Sequence, residues 1–318
     1  CGDGVACLFR RSEMVRRYQV TGGACTGLAV AFRTDSRNIR AGWTTVNKQA
    51  GANSTLIFQR GLDLYIRRDG KWVFAGVGVP NKSGTQHEAP IVEHMDTTMK
   101  ECLLYLPLYD EIAGLEIGTD EGALLEAAPD PFRHRIVVIG SSITHGASAG
   151  RPGMTWTARL ARRMGLDFLN LGYSGQCKLQ PEFARMLAEM EADAFVFDAF
   201  SNPSAGEIEE RLDAFVATVR KAHPSTPLIF IQTEVRETVN FNLRARKFES
   251  DKRAAAEAGI RRLMKDDRNI YFIDSRGMIG TDPLGTVDGS PPSDQGFMYM
   301  TRHLEPQLRK IFRKYGIR

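Results

Sequence analysis

Ala127-Ala128-Pro129-Asp130-Pro131-Phe132-Arg133-His134-Arg135-Ile136-Val137-Val138-Ile139-Gly140 is the stretch at which the 318-residue chain changes character. Its prolines close one pattern, since proline brings no N–H to a helix or sheet interior, and four branched apolar residues open another. Downstream, apolar runs recur at 136–139, 168–171, 195–197, 228–231 and 270–273, separated by segments of helical period. Runs that are apolar throughout suit strands buried on both faces, as a parallel sheet requires, and five of them suffice for a doubly wound α/β sheet. Between them Ile208, Leu212, Phe215, Val216 and Val219 mark one helix face, with Glu207, Glu209 and Glu210 expected in its first turn, where the helix dipole favours them. Residues 244–264 and 296–315 read as two further helices.

Upstream the runs are short and β-rich, at 28–32, 56–58, 62–66, 72–79 and 102–106, punctuated by Gly, Asn and Asp. Strands without intervening helices predict a sandwich. Asp69-Gly70 between two such runs predicts a type I′ hairpin, whose positive φ angles glycine adopts at little cost. The expected organisation is therefore an all-β domain over 1–130 and an α/β domain over 131–318.

Apolar residues at 42% and charged residues at 25% are those of a globular chain. The 42 basic and 38 acidic residues leave a net charge of +4 spread along the sequence, which argues against a nucleic-acid partner. Arg10, Arg11, Arg16, Arg17, Arg67 and Arg68 read as solvated edges. Five cysteines (Cys1, Cys7, Cys25, Cys102 and Cys177) with no CxxC pair argue against a zinc site and against a complete disulfide framework. No run approaches the roughly 18 apolar residues of a spanning helix. A start at Cys1 carries the expectation that an upstream segment was removed, with Cys1 either a lipidation site or an arbitrary boundary. A periplasmic or secreted location is favoured over the cytoplasm.

Ligands of open parallel sheets sit beyond the carboxyl ends of the strands, so the loops there come first. After 136–139 comes Gly140-Ser141-Ser142-Ile143-Thr144-His145-Gly146, where Ser142 could be a nucleophile at a helix start or merely part of a capping turn. The loop lacks the Lys-Ser/Thr ending of a P-loop and the GxGxxG of a dinucleotide site. After 168–171 comes Gly172-Tyr173-Ser174-Gly175-Gln176, in which Gly175 could bring a backbone N–H to a ligand or simply make a turn. After 195–197 comes Asp198-Ala199-Phe200-Ser201-Asn202-Pro203, an oxyanion donor or an Asn-Pro turn.

Ser142, Gly175 and Asn202, in this order and on these loops, resemble the first three blocks of the SGNH or GDSL hydrolases. Gly61-Leu62-Asp63-Leu64-Tyr65 is similar to the GxDLY motif of the sandwich that precedes some SGNH esterases, and Arg151-Pro152-Gly153-Met154 and Asn170-Leu171-Gly172 resemble the same branch. The resemblance spans nearly the whole chain. It implies a flavodoxin-like three-layer α/β/α hydrolase domain behind a jelly-roll-like sandwich. Ser142 would then be the nucleophile, with the backbone N–H groups of Ser142 and Gly175 and the Asn202 amide forming the oxyanion hole. No metal or other cofactor is implied.

The fourth block of the family reads Asp-x-x-His-Pro, whereas this chain reads Asp288-Gly289-Ser290-Pro291-Pro292. Asp288 is present, and Pro291 stands where the catalytic histidine is expected. A serine hydroxyl needs a base, and a proline ring has none to offer. Ser141 also replaces the usual Asp, a change expected to touch only local hydrogen bonding. Among other histidines, His145 lies three residues from Ser142. His303 is expected on the last helix, His223 at a helix end, His134 before the first parallel strand, and His87 and His94 in a loop of the front domain. Trp43, Trp72 and Trp156 could stack on sugars or pack in the core, and Glu234 could line a pocket or bond a neighbouring backbone. The resemblance implies a serine esterase removing a small acyl group, with acetyl expected, from a carbohydrate or other small ester. Pro291 motivates an alternative, an inactive relative that binds acylated glycans.

Overall fold

In the computed structural model, which describes residues 27–46 and 51–318, the chain divides into two compact units. One is Cys1–Pro131 with Ala149–Met154, the other Phe132–Ser148 with Thr155–Arg318. Cys1, Cys7, Cys25, Arg10, Arg11, Arg16 and Arg17 lie outside the described residues.

The first unit contains β1 (Ala29–Thr34), β2 (Ile39–Thr45), β3 (Leu62–Arg68), β4 (Lys71–Gly78), β5 (Gln86–Val92), β6 (Lys100–Tyr105), β7 (Ile112–Thr119) and β8 (Leu125–Ala127). They form two antiparallel sheets, β4-β3-β6-β1-β8 and β5-β2-β7. Alternating inward residues of the two sheets, among them Phe32, Ile39, Trp43, Leu64, Leu104 and Ile117, meet in one core. Trp43 is therefore core, its indole N–H donating to the Arg60 carbonyl at 2.7 Å. The β3–β4 turn has φ 51° at Asp69 and 73° at Gly70, as a type I′ hairpin demands.

Two local expectations change in this unit. Residues 56–58 are not a strand but part of α1 (Leu56–Arg60), because Thr55 caps the turn by accepting the Phe58 N–H. A three-residue apolar run carries no period, so the cap decides. His87 lies in β5 rather than a loop, buried against Trp43 and hydrogen-bonded to Thr45 and Asn81.

The GxDLY residues each have a physical task. A Cβ on Gly61 would come within 2.9 Å of the Ile57 backbone and the Gly78 carbonyl, so the helix-to-strand corner excludes one. Leu62 and Leu64 fill the core, while Asp63 and Tyr65 alternate to the other face. There the wholly buried Asp63 carboxylate accepts from Arg151 Nη1 at 2.8 and 2.9 Å and from the Gly153 N–H at 2.8 Å. Arg151 also donates to the Tyr65 hydroxyl at 2.7 Å and lies over the Phe74 ring. A Cβ at Gly153 would strike both Asp63 and Tyr65, which explains its glycine.

The second unit has β9 (Arg133–Gly140), β10 (Leu166–Gly172), β11 (Ala194–Asp198), β12 (Leu228–Ile231) and β13 (Ile270–Ile273), all parallel, in the order β10-β9-β11-β12-β13. His134 sits inside β9 rather than before it. The helices are α2 (Ser142–His145), α3 (Trp156–Met164), α4 (Pro181–Ala188), α5 (Ala205–Ala222), α6 (Leu243–Asp266) and α7 (Asp294–Arg313), with a 3₁₀ turn at Glu237–Val239. The order is that of flavodoxin-like sheets. Right-handed crossovers put α3 on one face and send α4, α5 and α6 to the other once the strand order reverses after β10. α7 packs on α3, while α5 packs on α4 and α6. Ser204 and Glu207 form a capping box at the start of α5, and of the three glutamates only Glu207 falls in the first turn. Trp156 is fully buried.

Asp63→Ala leaves the Arg151 cation without its buried carboxylate. Melting of the isolated variant should report a loss of about 3 kcal/mol. A change under about 0.5 kcal/mol would mean that the Asp63–Arg151 pair is incidental.

Candidate active site

β9 pairs with β10 so that Gly140 is level with Gly172, and with β11 so that Gly140 is level with Asp198. Three neighbouring strands thus end in one row, and the loops carrying Ser142, Gly175 and Asn202 leave that row side by side. Two of the three row residues are glycines for steric reasons. A Cβ on Gly140 would lie 2.2 Å from Thr144 Oγ1 and 2.9 Å from Asp198 Cβ, and one on Gly172 would lie 2.1 Å from the His145 nitrogen. The turn bearing Ser142 folds directly over them.

Ser142 is the first residue of α2. The cap belongs to Ser141, whose hydroxyl accepts from the Ile143 N–H at 3.2 Å, so the Ser142 hydroxyl is not used as a cap. Thr144 holds the turn from both sides. Its hydroxyl donates to Asp198 Oδ2 at 2.7 Å, and its carbonyl accepts from the Asn170 amide at 2.6 Å. Asn170 in turn accepts from the Gly172 N–H at 3.0 Å. Gly175 has φ 74° in the turn closed by Gln176 N–H to the Tyr173 carbonyl, with open space around its missing Cβ. Its glycine is thus required by conformation and not by crowding.

Asp288 and Pro291 occupy a tight loop before α7. Val287 N–H donates to the Pro291 carbonyl at 3.1 Å, Thr286 bridges to Pro292, and the Asp288 carboxylate accepts from the Ser290 N–H at 3.2 Å. Asp288 is exposed and Pro291 buried. Of the other histidines, three have partners elsewhere and His87 and His94 lie in the first unit. His303 bonds the Asp274 carbonyl at 2.6 Å, His223 the Leu187 carbonyl at 2.9 Å, and His134 faces Asp193. His145 is buried, its backbone packed on Gly172. Among the described residues no side chain hydrogen-bonds the Ser142 hydroxyl.

Residues 133–309 match the GDSL-like lipase/acylhydrolase family, and residues 15–125 match the GxDLY domain, the N-terminus of SGNH-hydrolase-type esterases. The chain belongs to the GDSL-like lipase/acylhydrolase family. Among solved structures, a GDSL-like lipase from Bacteroides ovatus is 46% identical over 94% of this chain and 90% of that one, with a TM-score of 0.89. The salicylyl-acyltransferase SsfX3 of a tetracycline biosynthetic pathway is 21% identical, covers 97% and 91% of the two chains, and has a TM-score of 0.70. A family two carbohydrate esterase from Clostridium thermocellum, solved with cellohexaose, is 14% identical over 99% and 100% with a TM-score of 0.65. The last two share the fold. Among curated proteins nothing matches the chain. In fold and family the chain is an ester-bond hydrolase of the SGNH type.

Behind the loops of this GDSL-family hydrolase lies a buried polar cluster that sequence reading largely missed. Glu234, just past β12, is fully buried; it bonds Arg236 Nε at 3.2 Å and faces the Ser201 and Thr233 hydroxyls. Arg236 continues to Glu249 at 3.1 Å, and the wholly buried Lys252 bonds Glu249 at 2.8 Å. Burial lowers the Lys252 pKa, and the hydrogen bond to Glu249 opposes that shift. Asn170 and Asp198 had a signal in the sequence, being polar residues at the ends of apolar runs. Lys252 had none, since a lysine in a charged helix looks like any other. The thiol of Cys177 is buried, which raises its pKa and leaves it inert as a nucleophile.

Burial pushes the Asp198 carboxyl up to about 8, the Glu234 carboxylate adding to the shift while the Thr144 hydroxyl and Arg236 oppose it. Because the folded pKa is raised, the folded chain retains a proton that the unfolded chain releases. The associated stability is complete below the unfolded value of about 4 and is lost as pH rises through 8. Asp198→Asn stays neutral and still accepts from Thr144, so its melting temperature should fall less between pH 5 and pH 9 than that of the parent. Parallel pH profiles would contradict this assignment.

Proposed function

We propose that Ser142 is the nucleophile of an acyl-transfer centre, with the Ser142 and Gly175 backbone N–H groups and the Asn202 amide as its oxyanion donors, and that the ester cleaved is a small acyl group, acetyl foremost, on a carbohydrate. The observation that carries this reading is that, on loops leaving one strand row, no described residue is hydrogen-bonded by the Ser142 hydroxyl or by the Asn202 side chain, whose buried Oδ1 has no partner. Buried or half-buried polar groups are normally satisfied, so a pair left uncommitted at strand ends fits groups reserved for a ligand. Donors fixed in advance act on charge that appears only in the tetrahedral intermediate, and each is worth about a hundred- to a thousandfold in rate. The carbohydrate part draws support from the carbohydrate esterases that share the fold over the whole chain.

The missing element is the base. Pro291 has no titratable nitrogen, and loss of the histidine from a serine triad costs up to about a millionfold in turnover. Hydrolysis by this chain is therefore impaired. The same observation favours a second reading, in which the chain binds acylated glycans without cleaving them.

Initial rates on p-nitrophenyl acetate separate these outcomes. The chain as it stands should match Ser142→Ala, and Pro291→His should exceed both by at least about 100-fold. Hydrolysis by the parent well above Ser142→Ala would reveal another base. A Pro291→His variant no faster than Ser142→Ala would remove Ser142 from the nucleophile role. For the binding reading, calorimetry with the parent should show tighter binding of an acetylated cello-oligosaccharide than of its deacetylated form; equal affinities would sink it.

A further inference from the structure

We propose that Arg236 and Lys252 are positioning residues for the Asn202 amide, acting through the carbonyl of Ser201. The inference rests on the reading of Asn202 as an oxyanion donor. Arg236 Nη2 donates to the Ser201 carbonyl oxygen at 3.1 Å and Lys252 Nζ donates to the same oxygen at 3.0 Å. Two cations from different parts of the chain, one just past β12 and one on α6, thus converge on the peptide group that joins Ser201 to Asn202. The Ser201 hydroxyl is held as well, 3.0 Å from the Thr233 hydroxyl and 3.4 Å from Glu234. Arg253 completes the support from α6 by bonding the Thr233 carbonyl and Ser275.

Stability alone does not require this arrangement. Removing two cations from water costs several kcal/mol each, and well-packed apolar residues often do as well or better. What the cations supply is direction. A carbonyl gripped from two sides fixes the peptide plane, and Pro203 on the other side of Asn202 restricts the conformation of the residue before it. The Asn202 backbone is thereby constrained from both ends, while no described residue is hydrogen-bonded by its side-chain amide, whose buried Oδ1 has no partner. That is the combination an oxyanion donor needs: a rigid base and an uncommitted tip. A displacement of about 1 Å at a reaction centre can cost about a hundredfold.

The test needs a readout that survives the absence of a base. Phenylboronic acid serves, because the Ser142 oxygen adds to boron and releases its proton to water, forming a tetrahedral anion that occupies the oxyanion hole. Its dissociation constant should be measured for the parent, Ser142→Ala, Lys252→Arg, Arg236→Lys, and the double variant Lys252→Met/Glu249→Gln, which removes one charge of each sign. Arg236→Lys and the double variant should bind at least about tenfold more weakly, with melting temperatures close to the parent, and Lys252→Arg should stay near the parent. In the Pro291→His background the same two variants should lower kcat with little change in KM, which a general loss of packing would not do.

Parent-like boronate affinity in both variants would overturn the positioning role and leave the proposed function standing. A parent that binds no better than Ser142→Ala would overturn both. Unfolding of Arg236→Lys and of the double variant alike would assign the cluster to stability and equally remove the positioning role.

Discussion

The level pairing of Gly140 with Gly172 and with Asp198 is the constraint on which the second unit's chemistry depends. In a parallel sheet, register decides which loops emerge together, and here it brings three of them out at one height beside the point where the strand order reverses. The two glycines remove side chains at the place where the turn of Ser142 folds back over the sheet. Asp198 supplies the third member of the row and ties the turn down through Thr144. A one-residue slip of β10 or β11 would separate these groups and turn their side chains to the opposite face.

Charge is used in the same economy of space. The groups that would face a ligand, Ser142 and Asn202, are left uncommitted, whereas the layer beneath them is densely bonded: Thr144 joins Asn170 to Asp198, and Arg236 joins Glu234 and Glu249 to the Ser201 carbonyl, which Lys252 also holds. Such a layer is costly to bury, and it holds directions better than an apolar core would, because each is fixed by a hydrogen bond. In the first unit Asp63 and Arg151 follow the same logic, a buried carboxylate holding a guanidinium and a backbone N–H at once.

Much of this was legible in the sequence, for identifiable reasons. The five parallel strands are apolar on both faces, so their runs at 136–139 and 228–231 needed no partner to be recognised. The Asp69-Gly70 hairpin was legible because positive φ is written in the residue type. The single-turn helix at Leu56–Arg60 was not, since three apolar residues have no period and the decision lay with the Thr55 cap. His87 was misplaced to a loop because its strand carries polar residues on its outer face. The strand-end loops that carry Ser142, Gly175 and Asn202 were legible because small or polar residues interrupt the apolar runs there. The supporting cluster was not, because Arg236 and Lys252 acquire their meaning from contacts dozens of residues away.

In the proposed reading, this scaffold holds a serine nucleophile whose base alone is absent at Pro291. Intact-mass measurement of covalent labelling by a fluorophosphonate tests it most directly, since that reaction requires an activated serine hydroxyl. No adduct is expected on the parent, one adduct on Pro291→His, and none on Pro291→His/Ser142→Ala. Labelling of the parent at the rate of Pro291→His would contradict it.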